Sequence, residues 1–60
     1  MSEIREKLEI ALDRVDEAID ILRDLAKVSE EIAETLEDVL YHLEEAGELL
    51  NSLISRSEYE

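Results

Sequence analysis

The sequence has few of the residues that usually mark turns and the ends of helices and strands. Its 60 residues include no cysteine, no proline, no tryptophan and no phenylalanine, and its one glycine is Gly47. Because proline and glycine mark turns and strand ends, their scarcity favours helix along the whole chain. Without disulfides, a chain of this length folds alone only marginally. We therefore expect self-association to stabilise it.

Positive charge is also scarce. Six bases stand against 18 acids, giving a net charge of −12, while 45% of the residues are apolar. Such a chain repels nucleic-acid phosphates and anionic lipid surfaces, so we expect no direct nucleic-acid partner and no membrane partner. No apolar run is long enough for a bilayer, and residues 1–5 lack the apolar core of a signal peptide. The prediction is a folded cytoplasmic protein.

Apolar residues recur every seven positions, which is typical of amphipathic helices. Position a holds Leu8, Val15, Leu22, Ser29, Leu36, Leu43 and Leu50. Position d holds Ile4, Ala11, Ala18, Leu25, Ile32, Val39, Ala46 and Leu53. Position e, after Arg5, holds Leu12, Ile19, Ala26, Ala33, Leu40, Gly47 and Ile54.

The resulting a/d/e stripe is wider than the a/d seam of a two-stranded coiled coil, whose e positions are charged. Ile21, Val28 and Leu49 extend it into position g. A stripe of this width suits helices that are contacted on two sides, as in a four-helix bundle. The residues predicted to mediate self-association are Leu8, Ala11, Leu12, Val15, Ala18, Ile19, Leu22, Leu25, Ile32, Leu36, Val39, Leu40, Leu43, Ala46, Gly47, Leu50 and Leu53.

A turn is predicted near Ser29, because serine is a favoured helix N-cap. Lys27 would then lie in the last turn of one helix, and Glu30 and Glu31 in the first turn of the next, which suits both helix dipoles. The expected fold is an all-α antiparallel hairpin, with helices at about residues 3–27 and 30–55, that dimerises into a four-helix bundle. The alternative is one continuous helix of about 80 Å in a multi-stranded coiled coil.

The whole chain is predicted to form one helical domain, in which residues 56–60 fray because the apolar pattern stops at Ile54. Folding back at Ser29 pairs small residues with small or large ones across the hairpin. The predicted pairs are Ala11 with Ala46, Ala26 with Ala33, Leu12 with Gly47, and Ala18 with Val39. Glycine within a helix costs about 1 kcal/mol relative to alanine, and a close crossing of the helices at Gly47 would compensate for this cost.

Residues suited to catalysis or metal binding are few. Asp38, His42 and Glu45 share one side of a helix, but the Glu-x-x-His spacing of di-metal bundles is absent, because Val39 stands three residues before His42. A lone histidine beside the apolar seam is usually a boundary residue hydrogen-bonded to a nearby acid. We therefore predict no enzyme activity, no cofactor and no metal.

Charge divides unequally between the two predicted arms. Residues 1–28 carry eight acids and five bases, whereas residues 29–60 carry ten acids and one base. The simpler interpretation is a solvated face. The sharper one is a docking surface for a basic protein, or a mimic of DNA phosphates. The acids that would form it are Glu30, Glu31, Glu34, Glu37, Asp38, Glu44, Glu45 and Glu48.

Three functions fit these observations. The first is a non-enzymatic oligomerisation or protein-interaction module, most simply a homodimer and alternatively a tetramer. The second is an acidic inhibitor or DNA mimic that binds a basic partner through the second helix. The third is a designed or model bundle without an evolved activity. Ile10, Ile21 and Val28 are spaced by nearly whole helical turns, so they could also form a second apolar ridge for a partner.

Overall fold

The computed structural model describes the backbone of residues 2–57 and the side chains of residues 3–56. Two α-helices, α1 (Ser2–Val28) and α2 (Glu30–Ser57), pack against each other as a hairpin. The hairpin measures 46 × 14 × 9 Å between Cα atoms. A single continuous helix would be much longer, about 80 Å, so the hairpin prediction is confirmed.

The turn is a single residue. Between Ser2 and Ser57, only Ser29 lies outside a helix, and it occupies the N-cap position of α2. Its backbone N–H donates to the carbonyl oxygen of Leu25 at 3.3 Å, so the bonding pattern of α1 continues up to the turn. No residue in the described part of the chain has a positive φ. The chain therefore reverses without the left-handed glycine or asparagine that commonly ends a helix.

Positions a and e form the contact between the two helices. Every a residue from Leu8 to Leu50 is half-buried, and so are the e residues from Leu12 onward, apart from the more deeply buried Ile19 and Ile54. Among the residues that the structure describes, these two are the only hydrophobic residues that are almost fully buried, each 8% exposed. One hairpin therefore has a thin core, as expected for a chain of this length.

Both helices extend slightly beyond their predicted bounds. The helix α1 begins at Ser2 and ends at Val28, and α2 continues to Ser57 rather than to about residue 55. Residues 56–60 were predicted to fray; the helix includes the first two of them, and residues 58–60 lie outside the described part of the chain.

Gly47 lies against α1 as predicted. A Cβ atom at this position would be 3.8 Å from Leu12 Cδ1 and 3.8 Å from Val15 Cγ1. These are ordinary van der Waals distances, so an alanine side chain fits. The expected contact between Leu12 and Gly47 is present, but the helices do not cross so closely there that a glycine is required.

Candidate interaction surfaces

One side of the hairpin is acidic. An open groove runs between the helices on this side and is lined by b and e residues of both helices, including Asp16 of α1 and Glu44 of α2, and by Glu48 at position f of α2. Arg23, also at position b, bridges the helices there through an ion pair of 2.7 Å with Glu44. We call this side the acidic face. Because position b of both helices lies on it, position d of both helices lies on the opposite side.

That opposite side carries large apolar residues that a single hairpin leaves in solvent. The d residues Leu25, Ile32, Val39 and Leu53 are 41%, 39%, 40% and 44% exposed, and Ile4 is 61% exposed. The large apolar residues at the neighbouring g positions are even more exposed. They are Ile21 at 62%, Val28 at 79% and Leu49 at 68%. We call the d and g positions of both helices the apolar face.

Acids are excluded from the apolar face. In the described part of the chain, all acidic residues occupy positions b, c or f, and none occupies d or g. The g positions without an apolar residue hold Lys7, Arg14, Thr35, His42 and Arg56. An exposed apolar surface with bases at its margins is typical of a protein-binding site rather than of a solvated face.

The predicted self-association residues thus divide into two groups. The a and e residues among them already pack within the hairpin. The large d residues, Leu25, Ile32, Val39 and Leu53, remain exposed, whereas the alanines at d are half-buried. Among the predicted self-association residues, these four large d residues therefore have the most surface left to contact a further helix.

Sequence reasoning underestimated the g positions. Ile21, Val28 and Leu49 were recognised as an extension of the stripe, but Ile21 and Val28 were also assigned, with Ile10, to a separate ridge. In the hairpin, Ile21, Val28 and Leu49 lie beside the exposed d residues and belong to the same surface. The absence of acids from every g position is the sequence signal that identifies this surface.

The acids of α2 that were predicted to bind a partner are all exposed. Glu44 forms the ion pair with Arg23, and Glu45 accepts a hydrogen bond from the Tyr41 hydroxyl at 3.2 Å. The remaining six, which have no ion pair with any described base, are Glu30, Glu31, Glu34, Glu37, Asp38 and Glu48.

His42 is exposed and stacks edge-on with Tyr41, their ring centroids 5.6 Å apart. Among the residues that the structure describes, no three His, Cys, Asp or Glu side chains are placed to hold a metal ion together. Asp38, His42 and Glu45 therefore share a side of α2 without forming such a group. Neither described helix has an apolar stretch long enough to cross a membrane.

The two faces are the features of this hairpin that bear on its function. One is acidic and bridged by an ion pair, and the other is apolar and free of acids. No protein-family model, no curated protein and no solved structure matches this chain.

Proposed function

We propose that this protein is a non-enzymatic oligomerisation and protein-interaction module whose apolar face binds another helical surface, first of all a second copy of the chain. The observation that carries the proposal is the exposure of large apolar residues along the d and g positions of both helices, on a side that holds no described acid. Scattered exposed apolar residues are normal, but several large ones gathered on one side of a protein mark a binding surface.

The energetics favour covering this face. Full burial of one leucine, isoleucine or valine side chain stabilises a protein by about 1.5–3 kcal/mol. In the described part of the hairpin, two hydrophobic residues are almost fully buried, whereas eight large apolar residues on the apolar face are at least 39% exposed. Covering that face therefore buries apolar surface that one hairpin leaves in water, and two hairpins packed through it form a four-helix bundle.

Charge placed on the apolar face tests the proposal. Ile21→Glu and Leu49→Glu each put a carboxylate where a second copy would pack, and we expect each to shift the protein from dimer to monomer in sedimentation equilibrium. Tyr41→Glu is the matched control, because Tyr41 is also a large exposed residue, 58% exposed, but occupies position f away from the face.

The control variant should stay dimeric. Circular dichroism at the same concentrations shows whether each variant keeps its helices. If wild-type protein is a helical monomer at micromolar concentration, or if Ile21→Glu and Leu49→Glu leave the mass of the wild-type assembly unchanged, the proposal is wrong.

A second candidate function uses the acidic surface of α2. Seven of its eight acids lack an ion pair with any described base, so their charge is available to a basic protein or to a protein that binds nucleic acid. Reversing the charge of Glu37, Glu44 and Glu48 tests this function. It predicts capture of a nucleic-acid-binding protein that added DNA displaces, and binding that survives the three reversals argues against it.

A further inference from the structure

We propose that the second copy lies in the opposite direction on the apolar face, so that the two turns are at opposite ends of a four-helix dimer. This inference rests on the proposed function, since it requires a second copy to cover the face. It adds the orientation of the copies and the residues that determine it.

The contact at Gly47 shows which residues of the two helices lie at the same height along the hairpin. Gly47 lies beside both Leu12 and Val15, so residue i of α1 is level with about residue 60 − i of α2. Asp16 and Glu44 are therefore at the same height. A twofold axis at that height, perpendicular to the helices, places α1 on α1 and α2 on α2 with their directions reversed.

This axis places the apolar face of one copy against the apolar face of the other. Along facing antiparallel helices, d residues of one copy meet g residues of the other, as a and d residues alternate in coiled coils. At this register, Ala11 meets Ile21 of the second copy, and Val39 meets Leu49. A small residue lies opposite a large one in the first pair, which favours close packing. The same register places Leu25 opposite Lys7 and Ile32 opposite Arg56, so these bases border the apolar contact.

A second orientation satisfies the same register. If the twofold axis runs parallel to the helices, α1 packs on α2 of the other copy and both turns lie at one end. Because residues i and 60 − i are level, d and g residues again alternate: Ala11 then meets Leu49, and Ile21 meets Val39. Apolar contacts alone therefore do not distinguish the two dimers.

The charges beside the apolar face do distinguish them. With the turns at opposite ends, Lys7 lies next to Asp24 of the second copy; with the turns together, it lies next to Ser52. Arg56 would face Glu31 in the first arrangement. Glu31 has no ion pair with a described base of its own hairpin.

With the turns together, Arg56 would instead face Glu3, which already contacts Lys7 of its own chain at 3.5 Å. The reversed orientation thus pairs Arg56 with an acid, Glu31, that has no ion pair with any described base.

The reversed orientation also brings Lys7 next to Asp24, whereas the other orientation places no acid beside Lys7. Lys7 and Asp24 contact Glu3 and Lys27 of their own chains at 3.5 and 3.9 Å. Arg14 does not separate the two orientations, because it lies next to Glu17 in one and next to Glu45 in the other.

Long-range repulsion favours the same choice. The half of the hairpin near the turn, residues 16–44, holds ten acids and two bases, a net charge of −8. The other described residues hold six acids and four bases, a net charge of −2. Opposite charges attract and like charges repel over roughly a Debye length, about 10 Å at 0.1 M salt. Placing the turns at opposite ends keeps the two −8 halves apart.

Cross-linking measures the orientation directly. The chain has no cysteine, so single-cysteine variants react at one position only. Lys7→Cys protein is mixed with Asp24→Cys protein, or with Ser52→Cys protein, and treated with a short bismaleimide. We expect at least a tenfold greater yield of mixed dimer from the first mixture. Asp13→Cys, at the outward f position, measures cross-linking by random collision.

A second measurement leaves Lys7 and Asp24 unchanged. A spin label on Glu30→Cys, next to the turn on the acidic face, reports the distance between the two turns. At 1.5 Å per residue the labels are separated by more than about 40 Å when the turns are at opposite ends, and by less than about 30 Å when they are together. We expect the longer distance.

Preferential cross-linking of Lys7→Cys with Ser52→Cys, or the shorter label distance, overturns the orientation and leaves the proposed function intact. A dimer that cross-links in neither mixture overturns it as well. A chain that sediments as a monomer removes both the orientation and the proposed function on which it rests.

Discussion

Ser29 separates the two helices by itself. It is the only non-helical residue between Ser2 and Ser57, and it stands at the N-cap of α2, where a hydroxyl can accept from the free N–H groups of the first turn. We predict that Ser29→Ala lowers the free energy of unfolding by about 1 kcal/mol, whereas Ser29→Asp, which can also cap the helix, retains most of it.

Urea denaturation followed by circular dichroism measures both variants of Ser29. Ser52→Ala, at an exposed position within α2, is the control and should change the free energy of unfolding by less than about 0.5 kcal/mol. Equal losses for the alanine and aspartate variants at residue 29 would mean that capping does not stabilise the turn.

A substitution at Gly47 is expected to raise the free energy of unfolding rather than lower it. A Cβ atom at this position would make ordinary contacts with Leu12 and Val15, so Gly47→Ala adds packing and removes the cost of glycine within a helix. We expect the free energy of unfolding to rise by about 1 kcal/mol. Ala46→Gly, at the neighbouring half-buried position, should lower it by a similar amount. A lower stability of Gly47→Ala would show that the helices approach more closely at this point than the structure indicates.

At the scale of the helices, the sequence predicts most of the fold. The seven-residue period and the missing proline identify helix, and Ser29 with its charged neighbours locates the turn. The sequence could not predict which apolar positions form the contact between the two helices. An a/d/e stripe is wider than the surface that one neighbouring helix covers, and only the packed structure shows that a and e turn inward while the large d residues stay exposed.

The ion pair between Arg23 and Glu44 is a contact between the helices that heptad reasoning did not predict. Both residues occupy b positions, and they meet across the acidic face at 2.7 Å with about half of each side chain exposed. Exposed pairs contribute little because water and salt screen them. A double-mutant cycle with Arg23→Ala and Glu44→Ala should give a coupling energy of about 0.5 kcal/mol at low salt.

That coupling should fall towards zero in about 1 M NaCl, where the Debye length is about 3 Å. A cycle with Arg23→Ala and Asp38→Ala serves as the control, because Asp38 is an exposed acid of α2 at position c, outside the acidic face and without this contact. If both cycles give the same coupling energy, the ion pair does not stabilise the hairpin specifically.

At the scale of the whole molecule, self-repulsion opposes both folding and association. Each chain carries a net charge of −12, and a dimer brings two such chains together. We predict that the midpoint of thermal unfolding rises as NaCl increases from about 0.02 M to 0.5 M, because salt screens this repulsion. Glu34→Lys, at an exposed f position, should raise the midpoint at low salt and reduce its dependence on salt. A midpoint that falls as salt increases would mean that favourable ion pairs outweigh the repulsion.

The central claim is that a second copy covers the apolar face, and sedimentation equilibrium of wild-type protein at micromolar concentration tests it most directly. The claim predicts a helical species with twice the mass of the 6.9 kDa chain, and dissociation to single chains for Ile21→Glu and Leu49→Glu but not for Tyr41→Glu. A helical species of 6.9 kDa, with the apolar face left in water, would contradict it.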